Sequence, residues 1–276
     1  MSPGLIFLAA VAIYPTIYSL VISLTRWRLT TGKEAQFVGF ENYANLLTDE
    51  LFWNSVKVTL LFVMFAVTIE TVLAFCMALL FFRGFPGDKV MRSMILMPML
   101  LAPVVVGLLA RFSLEPSFGI VNQLMRSVGL PTTEFLGSVD LALPTLIAID
   151  IWQWTPFLFL IFLASMQGLP EEVIEASKID GATWPQIIWH QFLPLLKYPI
   201  MVGVLLRIID AFRVYDIIFM TTRGGPINVT STMSWQIYDV GFRSFTISYA
   251  AAYSWLLVVL VLVVVNTLIR RMVARN

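Results

Sequence analysis

Apolar residues along this chain gather into six long runs, at about 3–24, 58–82, 90–110, 141–166, 195–221 and 248–269. A helix rising about 1.5 Å per residue needs roughly 20 mostly apolar residues to cross a bilayer core, and each run approaches or exceeds that length. Inside lipid every backbone N–H and C=O must find a partner within the protein, so runs of this kind predict helices. The pattern therefore predicts an all-α polytopic membrane protein, one transmembrane domain over 1–276 with six transmembrane helices. The first run lacks a basic leader and a small-residue cleavage site and is too long for a signal peptide core, so it is read as a retained span. Polar, turn-rich stretches separate the runs: 26–57 carries charges and aromatics, and 111–140 carries Pro116, Gly119 and Pro131.

Composition agrees with the pattern, with 59% hydrophobic and only 13% charged residues, outside the range of a soluble domain. The bilayer is the first partner. A net charge of +1 and the lack of any basic block exclude a nucleic-acid arm. Cys76 is the single cysteine, so neither an internal disulfide nor a multi-cysteine metal site can form, and it is expected to be a small buried apolar residue. Lys and Arg fall more densely in the second and fourth loops and the C-terminal tail, at Arg83, Lys89, Arg92, Lys178, Lys197, Arg270, Arg271 and Arg275. By the positive-inside rule those segments, and the N-terminus, face the cytoplasm.

One cytoplasmic segment breaks the apolar pattern. Residues 170–194 include EASKIDGATWPQIIWHQFLP, a polar insert between the fourth and fifth runs. Pro170 suits the first turn of a helix, with Glu171 and Glu172 at the positive end of its dipole. Glu171, Glu175 and Lys178 share one face, and Gly181 supplies a left-handed stop. Thr183 and Gln186 then have capping-box spacing for a second helix that ends near Leu193-Pro194. An amphipathic connector lying on lipid is one reading, but the first helix is acid-rich where anionic lipid would favour base, so a protein partner fits better. His190 has neither a nucleophile beside it nor metal-ligand spacing; no catalytic residue and no metal site are expected.

The string Glu175-Ala176-Ser177, Asp180-Gly181-Ala182 and Leu193-Pro194 resembles the cytoplasmic EAA loop of binding-protein-dependent ABC importer permeases. Ser177 stands in place of the motif's second alanine and Gln191 in place of an isoleucine. FVGFENY at 37–43 and DAFRVYD at 210–216, followed by Gly224-Gly225-Pro226, are similar to the maltose-type carbohydrate-uptake permeases. The resemblance implies a multi-pass inner-membrane permease subunit that takes up a sugar or related polyol. It also implies a second permease subunit, non-identical in the maltose type, two cytoplasmic ABC ATPase subunits that hold ATP and Mg, and an extracytoplasmic solute-binding protein. The EAA helix would dock on the ATPase, with Glu175 as a polar contact, Ala176 permitting close approach, Gly181 setting the angle between the helices, and Asp180 and Pro194 completing the motif. This chain contains no phosphate-cradling GxxxxGK[ST] loop and no cofactor is expected in it.

Ionisable residues deep in a membrane cost about 2.5 kcal/mol or more each, so Glu70, Asp150, Arg207 and Asp210 require a reason. Arg207 and Asp210 stand at i, i+3 and can pair. Either these groups form internal salt bridges that fix helix packing, or they line a wet pathway with Gln153, Arg213 and Tyr215. Trp152 and Trp154 beside Asp150 would offer stacking faces for a sugar ring. Pro98, Pro103, Pro144, Pro156 and Pro199 should kink or break the third to fifth spans. An ion-coupled secondary transporter is the competing class, using Glu70, Asp150 and Asp210 as ion sites, but the chain lacks the two matching halves such carriers often show.

Overall fold

The computed structural model describes residues 2–32 and 34–273. Its first half runs α1 (Ser2–Ser23), the short antiparallel strands β1 (Thr25–Arg26) and β2 (Gln36–Phe37), α2 (Glu41–Thr48), α3 (Glu50–Phe82), α4 (Asp88–Leu100), α5 (Pro103–Ser113) and α6 (Ile120–Ser127). Then follow α7 (Ala142–Gln167), α8 (Glu171–Ile179), α9 (Trp184–Ile187), α10 (Leu193–Leu195), α11 (Lys197–Ala211), α12 (Asp216–Met220), α13 (Met233–Tyr238) and α14 (Ile247–Val273). Among the described residues α3, α7 and α14 are long and apolar enough to cross a bilayer, and two bent pairs bring the number to five. Within α1, Ala9–Ser23 forms a shorter apolar helix.

Helix α3 starts well before its apolar run because the Asp49 carboxylate accepts the Leu51 N–H at 2.9 Å and caps it. The third run is two helices at 96° rather than one. Pro103, at the start of α5, has no N–H to continue α4, and the residue before a proline avoids helical backbone, so Ala102 is extended. In the fifth run the break falls at Leu196, with a 67° bend between the 184–195 rod and the helices that follow. Pro199 does not cause it; it lies in the first turn of α11, where a missing N–H costs nothing. Pro156 remains inside an unbroken α7.

Helices α3 and α7 lie side by side at the centre, with α4 and α11 against α7 and α11 also against α3. Helix α5 packs on α12 so closely that a Cβ on Gly107 would meet Met220 Cβ at 2.8 Å. Segments from the first, third and fifth loops gather at one end: Leu29 N–H bonds Phe245 C=O at 3.0 Å, Asn54 Nδ2 bonds Asn228 C=O at 2.9 Å, and Glu115 and Glu134 share a cavity wall with Thr222. The second and fourth loops meet elsewhere, with the Arg83 guanidinium 4.1 Å from the Trp184 ring centre. Large apolar side chains such as Val72, Leu80, Leu262 and Val263 lie exposed along α3 and α14, where acyl chains can cover them. Cys76 belongs to this exposed set and not to the core: α3 buries Ala74 and Ala78, and Cys76, half a turn from each, points outward.

Candidate functional site

Two regions carry the residues singled out by sequence. The first is a charged cluster between α3, α7 and α11. Arg207 donates from Nε to Glu70 Oε2 at 2.8 Å and from Nη2 to Glu70 Oε1 at 3.0 Å, a bidentate pair. Nη2 also donates to Asp150 Oδ2, and Nη1 to Asp210 Oδ2 at 3.2 Å. Glu70, Asp150 and Arg207 are almost wholly enclosed, whereas the Asp210 side chain is 48% exposed. Desolvating one charge alone would be prohibitive; the bonds from Arg207 to Glu70 and Asp150 offset that cost. The cluster thus bonds α3 to α7 and α11 at the same point.

On one side the cluster opens into a small cavity of about 70 Å³, whose wall includes Asp150, Trp154, Arg207, Asp210, Arg213 and Tyr215. Trp154 presents its face to Arg207, with the guanidinium carbon 5.4 Å from the ring centre. Asp210, Arg213 and Tyr215 reach one place because α11 stops at Ala211 and the chain turns before α12. Asp216, in the first turn of α12, also lines the cavity, a position that the apolar pattern gives no reason to select. Glu70 does not line it and stands behind Arg207.

The adjacent aromatics of α7 separate, as residues about 100° apart on a helix must. Trp154 faces the cavity, while Trp152 is 53% exposed and borders an apolar groove with Val106 and Ala110. Gln153 is buried and donates from Nε2 to the Leu101 carbonyl at 3.1 Å. That carbonyl sits at the break between α4 and α5, so Gln153 supports the broken span from outside the cavity wall.

The second region is the polar insert. Pro170 occupies the cap position immediately before α8 rather than its first turn. At the other end of α8 Gly181 has φ 77°, with its N–H on Lys178 C=O at 3.0 Å and the Ala182 N–H on Ser177 C=O at 2.9 Å. These are the two bonds of a Schellman stop. A Cβ at Gly181 would meet nothing within 4 Å, so the backbone angle alone requires glycine. Gln186 Oε1 accepts the Thr183 N–H at 2.7 Å and its hydroxyl at 2.8 Å, opening the second helix. That helix is not a uniform α-helix. Residues Ile188–Phe192 form a π-helical turn in which the Leu193 N–H reaches Ile188 C=O, a register that accommodates Pro194 and its missing N–H. Pro194 therefore lies within α10, and the next span opens beyond it, after Leu196.

Glu175, Ala176, Lys178, Asp180, Gly181 and Pro194 are all exposed. Ile174, Ile187 and Phe192 turn inward onto Phe81, Phe159 and Phe162 of α3 and α7. The insert consequently has an anchored apolar side and a free polar side. One contact could not be foreseen from spacing: Arg83, just past α3, stacks on Trp184, while Phe82 meets Phe192 with ring centres 5.1 Å apart.

Long apolar helices, two broken spans, a charged cluster enclosed between three of them and a polar helix pair at one end define a multi-pass membrane protein organised around its interior. Residues 70–274 match the family described as binding-protein-dependent transport system inner membrane component, and the chain belongs to it. A probable ABC transporter permease protein, y4oQ of Sinorhizobium fredii, is 38% identical over 259 residues, 94% of this chain and 84% of that protein. The trehalose transport system permease protein SugA of Mycobacterium tuberculosis is 32% identical over 257 residues, 93% of this chain and 82% of that one. A solved bacterial ABC transporter involved in import of the acidic polysaccharide alginate has a chain with the same fold, at a TM-score of 0.83 and 22% identity, covering 98% of this chain and 92% of its own.

Proposed function

We propose that this chain is one permease subunit of an ATP-driven importer for a sugar or related polyol, in the cytoplasmic membrane. Its kinship with a trehalose permease supports the carbohydrate class. Six spans fit the shape best: α1, α3, the α4–α5 pair, α7, the α11–α12 segment and α14, with the odd loops at one end and the even loops at the other. The solute-binding protein would meet the odd-loop end. Two ABC ATPase subunits, which hold ATP and Mg, would meet the even-loop end, and a second permease subunit would complete the pathway.

The observation that carries this reading is the helix pair α8–α9, packed by Ile174, Ile187 and Phe192 onto the bundle while Glu175, Ala176, Asp180 and Gly181 face outward. A docking ATPase would find those four residues and Pro194 free. Asp150, Asp210, Arg213 and Tyr215 would line the solute's path, with Glu70 and Arg207 behind it and Gln153 holding the bend in the third span. Glu70 and Asp150 are bonded to Arg207 and are poor ion-coupling sites for that reason. The importer, assembled with its partner subunits in vesicles, is expected to accumulate solute with ATP and to be indifferent to collapse of proton and sodium gradients. Accumulation that follows either gradient without ATP would replace this reading with a secondary transporter.

A further inference from the structure

The charges around the small cavity have a consequence for what can enter it, given the reading above that it belongs to the solute path. Arg207 is the buried cation in its wall and the obvious partner for an anionic solute. Its geometry removes it from that role. Nε and Nη2 are committed to Glu70, Nη2 also to Asp150, and Nη1 to Asp210, leaving no pair of N–H groups to form a fork with a carboxylate or phosphate. The remaining wall charges are the carboxylates of Asp150, Asp210 and Asp216 and the guanidinium of Arg213. Glu70 stands behind Arg207, bonded to it and outside the wall.

Three wall carboxylates therefore stand against two guanidinium groups around one small cavity. Asp210, half-exposed, places its free oxygen where a solute would pass. Carboxylate oxygens and Arg213 can bond the hydroxyls of a passing solute. We propose that this cavity is a charge filter that admits neutral polyhydroxylated solutes and repels sugar acids and sugar phosphates, with Asp210 and Asp216 as the residues that set the selection. The shared fold with an importer of an acidic polysaccharide does not conflict, because fold is common to both chains and the filter is local.

The filter can be read without knowing the cargo. Cys76 is the single native cysteine, so C76S leaves this chain without a thiol, and V214C then places one thiol on the cavity wall, its modification read by the mass of this chain. With the complete importer in membranes, the probes are the cationic 2-(trimethylammonium)ethyl and the anionic 2-sulfonatoethyl methanethiosulfonates. Relative to their rates with free 2-mercaptoethanol, the cationic reagent should be favoured at V214C by about tenfold or more. D216N should reduce that preference several-fold, and this variant removes no bond to Arg207. An unchanged rate ratio, a preference for the anion, or no reaction with either reagent would overturn the proposal. Uptake of trehalose and of trehalose 6-phosphate by the same importer gives a second measure: equal uptake of both would refute the filter yet leave ATP-driven import standing. Uptake driven by an ion gradient would refute the importer and leave the thiol result to decide the filter.

Discussion

Arg207 and Gly181 show two ways in which a single residue constrains this protein. Removing the guanidinium by R207L would leave Glu70 and Asp150 enclosed without a counter-charge, a loss of about 3–5 kcal/mol by the usual cost of breaking a buried pair. The expected result is a sharp fall in membrane-inserted protein and in the thermal midpoint of detergent-extracted protein, measurable by fluorescence-detected chromatography; R207K, which keeps the charge but not the fork, should fall between. Normal levels of R207L would show that the cluster does not hold the helices. Gly181 acts through backbone angle alone. A β-branched residue there strains the left-handed turn by about 1–2 kcal/mol, whereas asparagine tolerates it. G181V is expected to keep ATP hydrolysis and lose coupled uptake while G181N keeps both; coupled uptake in G181V would remove the turn from the coupling scheme.

Among elements, the α8–α9 pair and the turn after it are fixed to the bundle by Ile174, Ile187 and Phe192 in the apolar cluster of α3 and α7, and by contacts at the end of α3. Arg83 lies over Trp184, and Phe82 and Trp184 both pack on Phe192. Any displacement of the pair by an ATPase must pass through these contacts or slip past them. A surface cation–π contact contributes only about 0.5–1 kcal/mol, so R83A should leave protein levels near normal. Its expected effect is on coupling: fewer solute molecules imported per ATP hydrolysed, with R83K restoring part of the ratio. An unchanged ratio would show that motion reaches the bundle by another route. Elements of this kind mark how far sequence reading extends. Apolar run length located the long helices α3, α7 and α14, and local rules located Gly181 and the Thr183–Gln186 cap, because each of those features is decided within a few residues. The start of α3, the break at Leu196, the π-helical turn before Pro194 and the outward-facing Cys76 escaped, since capping, proline register and helix rotation are invisible to an average of hydropathy. In the site, the Arg207–Asp210 pair was legible from i, i+3 spacing. The bonds from Arg207 to Glu70 and Asp150 span distances in the chain that no local pattern reports, and Gln153 went to a backbone carbonyl that becomes available only because the third span breaks.

At the scale of the whole molecule, the folded chain holds its two candidate sites apart. The insert at the even-loop end presents polar residues to the exterior, while the charged cluster lies enclosed between α3, α7 and α11. Substitutions at the first should change how hydrolysis is used, and those at the second should change stability or what passes. The cluster also couples distant parts of the chain in time as well as space. Glu70 and Arg207 are 137 residues apart, and synthesis at about 5–20 residues per second leaves an interval on the order of ten seconds between them. Throughout that interval the nascent protein holds an acidic residue meant for the membrane interior with no base to receive it. Insertion of this chain is consequently a matter of waiting: the helix that carries Glu70 has to be sheltered, or kept protonated, until the helix that carries Arg207 leaves the ribosome.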